Sequence, residues 1–180
     1  VAAGALLAFA LLRGARPARV ELPLAKFQVG VTAPEQPAPS NPALSPDGRT
    51  VAWLAGGKLM IQPLGEYQPR VITVAPGASR IFWSPDARQI GYIAETRIMK
   101  VAVTGGESQA ICENRAPLSS GGGGAMWRDD GMIIFSRGDS AGILQVPAMG
   151  GDPTPVLKPN ADESDLHEPF ALPGGRGILF

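Results

Sequence analysis

Residues 43–53 read Ala43-Leu44-Ser45-Pro46-Asp47-Gly48-Arg49-Thr50-Val51-Ala52-Trp53, a tight turn followed at once by a β-rich run. Pro46 pre-sets φ for the first corner, the Asp47 carboxylate can bond its own backbone two residues on, and Gly48 tolerates positive φ. A sharp reversal between two strands follows. The same arrangement returns as Phe82-Trp83-Ser84-Pro85-Asp86-Ala87-Arg88-Gln89-Ile90-Gly91-Tyr92, then as Met126-Trp127-Arg128-Asp129-Asp130-Gly131-Met132-Ile133-Ile134-Phe135, and begins again at Phe170-Ala171-Leu172-Pro173-Gly174-Gly175-Arg176-Gly177-Ile178-Leu179-Phe180. Aligned on Asp47, Asp86, Asp130 and Gly174, the units step by 39, 44 and 44 residues.

That period matches the roughly 40–45 residues of a four-stranded propeller blade. After each turn comes a strand (Thr50 to Leu54, Gln89 to Ile93, Met132 to Phe135), then a short connector (Gly56-Gly57, Glu95-Thr96, Gly138 to Gly142), then a second strand (Lys58 to Leu64, Arg97 to Val103, Ile143 to Ala148). Each pair reads as a hairpin. A last strand closes each unit at Arg70 to Val74, Glu107 to Cys112 and Thr154 to Leu157. The middle strands are apolar on both faces, as in Val51, Ala52, Trp53 and Leu54, which suits a blade sandwiched between neighbours. Leu44, Trp83, Trp127 and Ala171 share one place before the turn, and that column should pack between blades. The expected fold is all-β: a partial propeller of antiparallel four-stranded blades at about 42–79, 80–123, 124–166 and, incomplete, 167–180. Such an arc has unpaired edges, and further blades are expected beyond Phe180.

Composition agrees. Gly and Pro, 23 and 18 residues, make about 23 % of the chain against the roughly 12 % of average proteins, while 44 % hydrophobic content is too high for a disordered polymer. Sixteen basic and sixteen acidic residues cancel, which removes the electrostatic footprint of a nucleic-acid binder. A single Cys excludes an internal disulfide framework or a multi-Cys zinc site.

Residues Val1 to Leu12 form an apolar or small run ending at Arg13, Arg16 and Arg19. A membrane helix needs about 20 such residues, so residues 1–14 read as the C-terminal part of a truncated one, and the arginines could touch anionic lipid headgroups. A signal peptide, whose charges should precede the apolar run, and a short core helix are the alternatives. Residues 15–41, with Pro17, Pro23, Pro34, Pro37 and Pro39, read as an extended proline-rich spacer. The first residue is not Met and the last ones read as a strand just begun, so the chain is expected to be a fragment.

Four motifs invite a chemical reading. Gly138-Asp139-Ser140-Ala141-Gly142 fits a nucleophile elbow, and Asp165 and His167 follow in hydrolase order, but the elbow needs a helix after it and Ile143 to Val146 reads as a strand. The run Gly121 to Gly124 lacks the Lys and Ser/Thr of a phosphate loop and reads as an inter-blade loop near the propeller mouth. Asp162, Glu163, Asp165 and Glu168 lack the spacing of a calcium loop and read as a solvated acidic loop, with His167 too isolated to build a metal site. Cys112 reads as a small core or edge residue. No catalytic, cofactor or metal-ligating residue is assigned, and the ligand-binding residues stay open.

With the turns Ser45-Pro46-Asp47-Gly48-Arg49 and Ser84-Pro85-Asp86 and the stretch Ala148-Met149-Gly150-Gly151-Asp152-Pro153-Thr154-Pro155-Val156, the chain resembles the TolB-like, WD-repeat-like β-propellers of bacteria. More narrowly, it resembles the propeller that follows the membrane helix of bacterial transmembrane serine/threonine protein kinases. Ala87 where Gly is usual, Asp129 where Pro is usual and Gly174 where Asp is usual depart from the repeat. The resemblance implies a non-catalytic sensor or scaffold region in a single-pass membrane protein, its propeller extracytoplasmic and binding a protein, a peptide or a cell-wall-derived ligand. It implies no cofactor in this segment. No His-Arg-Asp or Asp-Phe-Gly motif is present, so ATP and Mg would belong to a kinase domain outside it. The alternatives are the propeller of a prolyl-oligopeptidase-like serine peptidase and a TolB-like periplasmic scaffold.

Overall fold

The computed structural model describes residues 40–113, 123–136, 142–160, 166–172 and 177–180. They form three four-stranded antiparallel sheets and the start of a fourth. The first contains β1 (Ser40–Leu44), β2 (Thr50–Ala55), β3 (Lys58–Pro63) and β4 (Arg70–Val74) in chain order. The second contains β5 (Ala78–Trp83), β6 (Gln89–Ala94), β7 (Arg97–Ala102) and β8 (Gln109–Glu113). The third contains β9 (Ala125–Trp127), β10 (Met132–Ser136), β11 (Ile143–Pro147) and β12 (Thr154–Leu157), and β13 (Phe170–Ala171) pairs with β14 (Ile178–Leu179). Each sheet is a meander in which every strand pairs with the next, as a blade requires. The expected membrane segment 1–14, its Arg13, Arg16 and Arg19, and residues 15–39 lie outside the described residues, while β1 begins at Ser40, inside the stretch read as spacer. No helix among the described residues is long and apolar enough to cross a membrane.

The turn chemistry is realised atom by atom. Ser45 Oγ donates to Asp47 Oδ1 at 2.5 Å, and that carboxylate also accepts the Arg49 amide at 3.1 Å. The Thr50 amide in turn donates to Ser45 Oγ at 2.9 Å. Ser84, Asp86, Arg88 and Gln89 repeat the network at 2.7, 3.0 and 2.8 Å. In the third blade Arg128 replaces the serine and pairs with Asp130 at 2.5 Å. Gly48, Ala87 and Gly131 occupy the same corner with φ of 70°, 57° and 80°, so Ala87 holds a backbone conformation suited to glycine. On the opposite end of the sheet, Gly56 and Gly57, both at positive φ, close the β2–β3 hairpin.

The core lies between blades. Val51, Ala52, Trp53 and Leu54 are all buried, as expected for strands covered on both faces. Ala52, Leu54, Leu59 and Ile61 meet Trp83, Ile90, Tyr92 and Val101 between the first and second blades. Phe82, Ile93 and Ile98 meet Ile133, Phe135 and Val146 between the second and third. Burying one such side chain contributes about 1.5–3 kcal/mol, so stacking supplies the cohesion that a lone sheet lacks. Gly91 fits this plan: a Cβ there would run into Cε2 and Cζ of Phe82, whose ring meets Trp127 edge to face at 6.5 Å.

The aromatic column divides. Trp83 is buried and its Nε1–H donates to Ala43 O across the blade boundary at 3.0 Å, and Trp127 reaches Phe82 of the preceding blade. Leu44 departs from the expectation, at 55 % exposed. Its side chain points away from the second blade, and no preceding blade stands beside it among the described residues. The last strand of the second blade starts at Gln109, later than the expected Glu107, because the Gly105 amide folds back onto Ala102 O at 2.8 Å and extends the turn.

Candidate functional site

The first strands of successive blades approach one another, β1 to β5, β5 to β9 and β9 to β13, without sharing a sheet. This places them side by side at the inner edge, where the axis of a propeller runs. Six residues before each aligned turn position stand Asn41, Arg80, Gly124 and Glu168. These four equivalents converge. Asn41 Nδ2 donates to Ser79 O at 2.6 Å, and Arg80 NH1 donates to Asn41 Oδ1 at 3.4 Å. Arg80 Nε donates to Gly123 O at 3.2 Å, and its NH2 pairs with Glu168 Oε1 at 3.0 Å. One guanidinium thus touches the first, third and fourth blades from the second.

The local backbone explains how these groups reach the axis. The β1–β2 register shifts between Ser40 and Ala43, and the β5–β6 register shifts between Ala78 and Arg80, so both first strands carry an irregularity at the same place. Such a bulge re-aims a side chain out of the pleat. Asn41 and Glu168 both adopt left-handed φ, 51° and 41°, which non-glycine residues hold only at a cost. Gly124 is there for space, since a Cβ would lie 2.5 Å from Glu168 Cα. It is held by the Ser136 amide donating to its carbonyl at 2.9 Å and by its own N–H donating to Ser136 Oγ at 3.2 Å.

The ring shares its end of the molecule with the β2–β3 and β6–β7 hairpins, because a four-stranded meander brings the start of strand one, the middle hairpin and the end of strand four together. On this face, between the first two blades, lies a cleft of about 570 Å³ lined by Val74, Pro76, Tyr92, Glu95, Arg97 and Ser108. Its volume falls within the range of small-molecule sites. Its mixed lining, an acid, a base and the hydroxyls of Tyr92, Thr96 and Ser108 over apolar walls, is suited to reversible binding of a polar ligand.

The residues weighed from the sequence fare differently. Ser140, Asp162, Glu163 and Asp165 lie outside the described residues, as do Gly121 and Gly122. The expected strand after Gly142 is present as β11, in the place where a nucleophile elbow would need a helix. Glu168 is corrected: it is no member of a merely solvated loop but the ionic partner of Arg80. His167 is exposed, and no group of three or more potential metal ligands exists among the described residues. Cys112 is buried at the end of β8, and burial pushes its thiol up to about 11, which suppresses the reactive thiolate. Hydrogen bonds from the Ser45 and Ser84 hydroxyls lead the causes that hold the Asp47 and Asp86 carboxyls below their ordinary range, so these acids are turn anchors on the opposite end. The sequence reading missed Arg80 and Asn41. The signal available was the column itself, in which Asn, Arg, Gly and Glu replace one another inside otherwise repetitive units.

No family model and no curated protein matches the chain. Among solved structures it is similar to an oligogalacturonate lyase from Vibrio parahaemolyticus, with 18 % identity and a TM-score of 0.58 over 77 % of this chain and 45 % of that one. It is similar also to a putative TolB from Agrobacterium tumefaciens, with 17 % identity and a TM-score of 0.57 over 72 % and 48 %. A chain of a nidogen/laminin complex gives 13 % identity and a TM-score of 0.58 over 73 % and 50 %. The chain spans about half the length of these structures. At such identities the likeness concerns the backbone, and it agrees with the three stacked four-stranded sheets: the chain has a β-propeller-like fold that is similar to TolB-like propellers among others.

Proposed function

We propose that this chain is a non-catalytic, ligand- or protein-binding propeller region of a membrane-anchored bacterial serine/threonine protein kinase. The observation that carries the binding role is the Asn41, Arg80 and Glu168 ring at the inner edge, on the face shared with the 570 Å³ cleft. Polar side chains from three blades meet there on strained backbone, an arrangement that folding alone does not require. A protein, peptide or cell-wall-derived ligand would bind on that face. The kinase setting is supported by the order of segments in the sequence: an apolar run at residues 1–12, a proline-rich spacer, and then the repeat. In that setting residues 1–14 anchor the protein, the propeller is extracytoplasmic, and the chain itself uses no cofactor, ATP and Mg being bound by the kinase domain.

The coding sequence on both sides of this segment tests the setting. A glycine-rich loop, His-Arg-Asp and Asp-Phe-Gly motifs upstream of Val1 are expected. A short basic leader upstream with a hydrolase elbow downstream would overturn the kinase reading in favour of a propeller that gates a peptidase.

A further inference from the structure

The guanidinium of Arg80 is oriented by groups other than the carboxylate that it pairs with. Its Nε donates to Gly123 O, and the neighbouring Gly124 is fixed to β10 through both its N–H and its C=O. Its NH1 rests on Asn41 Oδ1. Glu168 is the weakly held member. Its side chain is 66 % exposed, its φ of 41° is left-handed, and the pairing partner is itself 38 % exposed. Exposed ion pairs contribute little to stability, and the backbone strain at Glu168 works against the pair. A carboxylate therefore sits on a pre-oriented guanidinium where it adds little to the fold, at the centre of the face read above as the ligand face.

We propose that Arg80 is a carboxylate receptor and that Glu168 occupies it in place of a ligand carboxylate, which displaces Glu168 on binding. The inference rests on the reading of this face as the ligand face. The ligand class is a peptide with a free carboxylate, contributed by its C-terminus or by an acidic side chain. Arginine suits this role because its planar fork can engage both oxygens of a carboxylate. Displacement balances without net chemistry: one carboxylate leaves the guanidinium for water as another leaves water for the guanidinium.

The test is a titration of the ¹⁵N-labelled chain followed through the Arg80 Nε–Hε resonance, assigned by its loss in Arg80→Gln. The probes are acetate, an N-acetylated tri-alanine with a free C-terminus, the same peptide amidated, and an amidated peptide with an internal Asp. Carboxylate probes should shift the resonance saturably and the amidated tri-alanine should not. Glu168→Gln, with spectral dispersion unchanged, should tighten carboxylate binding about two- to fivefold, because the internal competitor is gone. Arg80→Gln should abolish it. The free C-terminus and the internal Asp are separated by which peptide tightens more in Glu168→Gln. Unchanged or weaker binding in Glu168→Gln, binding that survives Arg80→Gln, or no binding by any carboxylate overturns the proposal. If probes instead shift only Glu95, Thr96 and Ser108, this inference fails while the ligand-face reading stands. Shifts confined to the Ser45 and Ser84 turns would end both.

Discussion

Exchanging Ala87 for Gly should stabilise the second blade slightly, and exchanging Gly48 for Ala should destabilise the first by more, because the Ala87 methyl also packs against the core between the first two blades. The two residues hold the same corner of two turns with the same serine and aspartate network, at φ of 57° and 70°. A Cβ built at Gly48 meets nothing within 4 Å, so the added methyl brings no clash and the effect is confined to the backbone. Holding a non-glycine residue in the left-handed region costs about 1–2 kcal/mol. Glycine loosens the unfolded chain, which offsets about 0.4–1 kcal/mol of that. The net is about 0.5–1 kcal/mol at Gly48, or about 1–4 °C in Tm for a chain of 180 residues, and is smaller at Ala87, where the methyl lost is packed. Thermal melts of Ala87→Gly, Gly48→Ala and the double variant measure it. Because stacked repeats can unfold in parts, amide exchange in β2 and β6 should be followed separately. The double variant should lie near the unmodified protein, since the sites share no partner. A Gly48→Ala variant as stable as the parent would refute the view that backbone strain is the difference between these turns.

Gly91→Ala should destabilise by about 1–3 kcal/mol, since the methyl displaces the Phe82 ring from its contact with Trp127, and Phe82→Leu should recover part of the loss in a double-variant denaturation series. Asp47 and Asp86 are depressed in the folded state, so their contribution is complete well above 3.8, the ordinary carboxyl value, and is lost as pH falls through their folded values; Asp47→Asn with Asp86→Asn should flatten the fall in Tm below about pH 4. Cys112, with its thiol pushed up to about 11, should resist iodoacetamide at pH 8 in the folded chain and react after denaturation; rapid labelling of the native protein would show that β8 opens easily.

The strands and turns were legible because their chemistry is local. Each of the first three turns contains its own hydrogen-bonding acid, and the runs after it are apolar on both faces, so β2, β6 and β10 could be placed from sequence. The aromatic column was legible for Trp83 and Trp127 but not for Leu44, because burial there depends on what stands beside the blade. Lys100 illustrates the same limit. It occupies in β7 the place that Ile61 holds in β3 and Gln145 in β11, and is buried with its Nζ donating to Ala148 O at 2.7 Å. Only the stacking of the third blade on the second brings that acceptor within reach. The axis residues were hidden for a stronger reason. Facing is counted in twos along a strand, and the register shifts in β1 and β5 break that count just where Asn41 and Arg80 leave the pleat.

The ties between blades are unequal, and this bears on how binding at the axis could be felt elsewhere. The first and second blades share an apolar face and the Trp83 to Ala43 bond, and the second and third share an apolar face and the Lys100 to Ala148 bond. Both interfaces are buried and should persist whatever happens at the ring. The tie from the second blade to the segment before β13 is the exposed Arg80 to Glu168 pair. A ligand that takes the place of Glu168 therefore leaves the contacts of Arg80 to Asn41 and Gly123 standing, and the segment before β13 stays anchored to the third blade by Leu166, which packs against Ile134 and Ile143. Released, Glu168 no longer has a partner to compensate its left-handed φ, so the backbone at that one residue gains by relaxing. Binding would thus be felt as a local rearrangement at Glu168, between the buried Leu166 and β13, through a side chain that the stack of three blades itself orients.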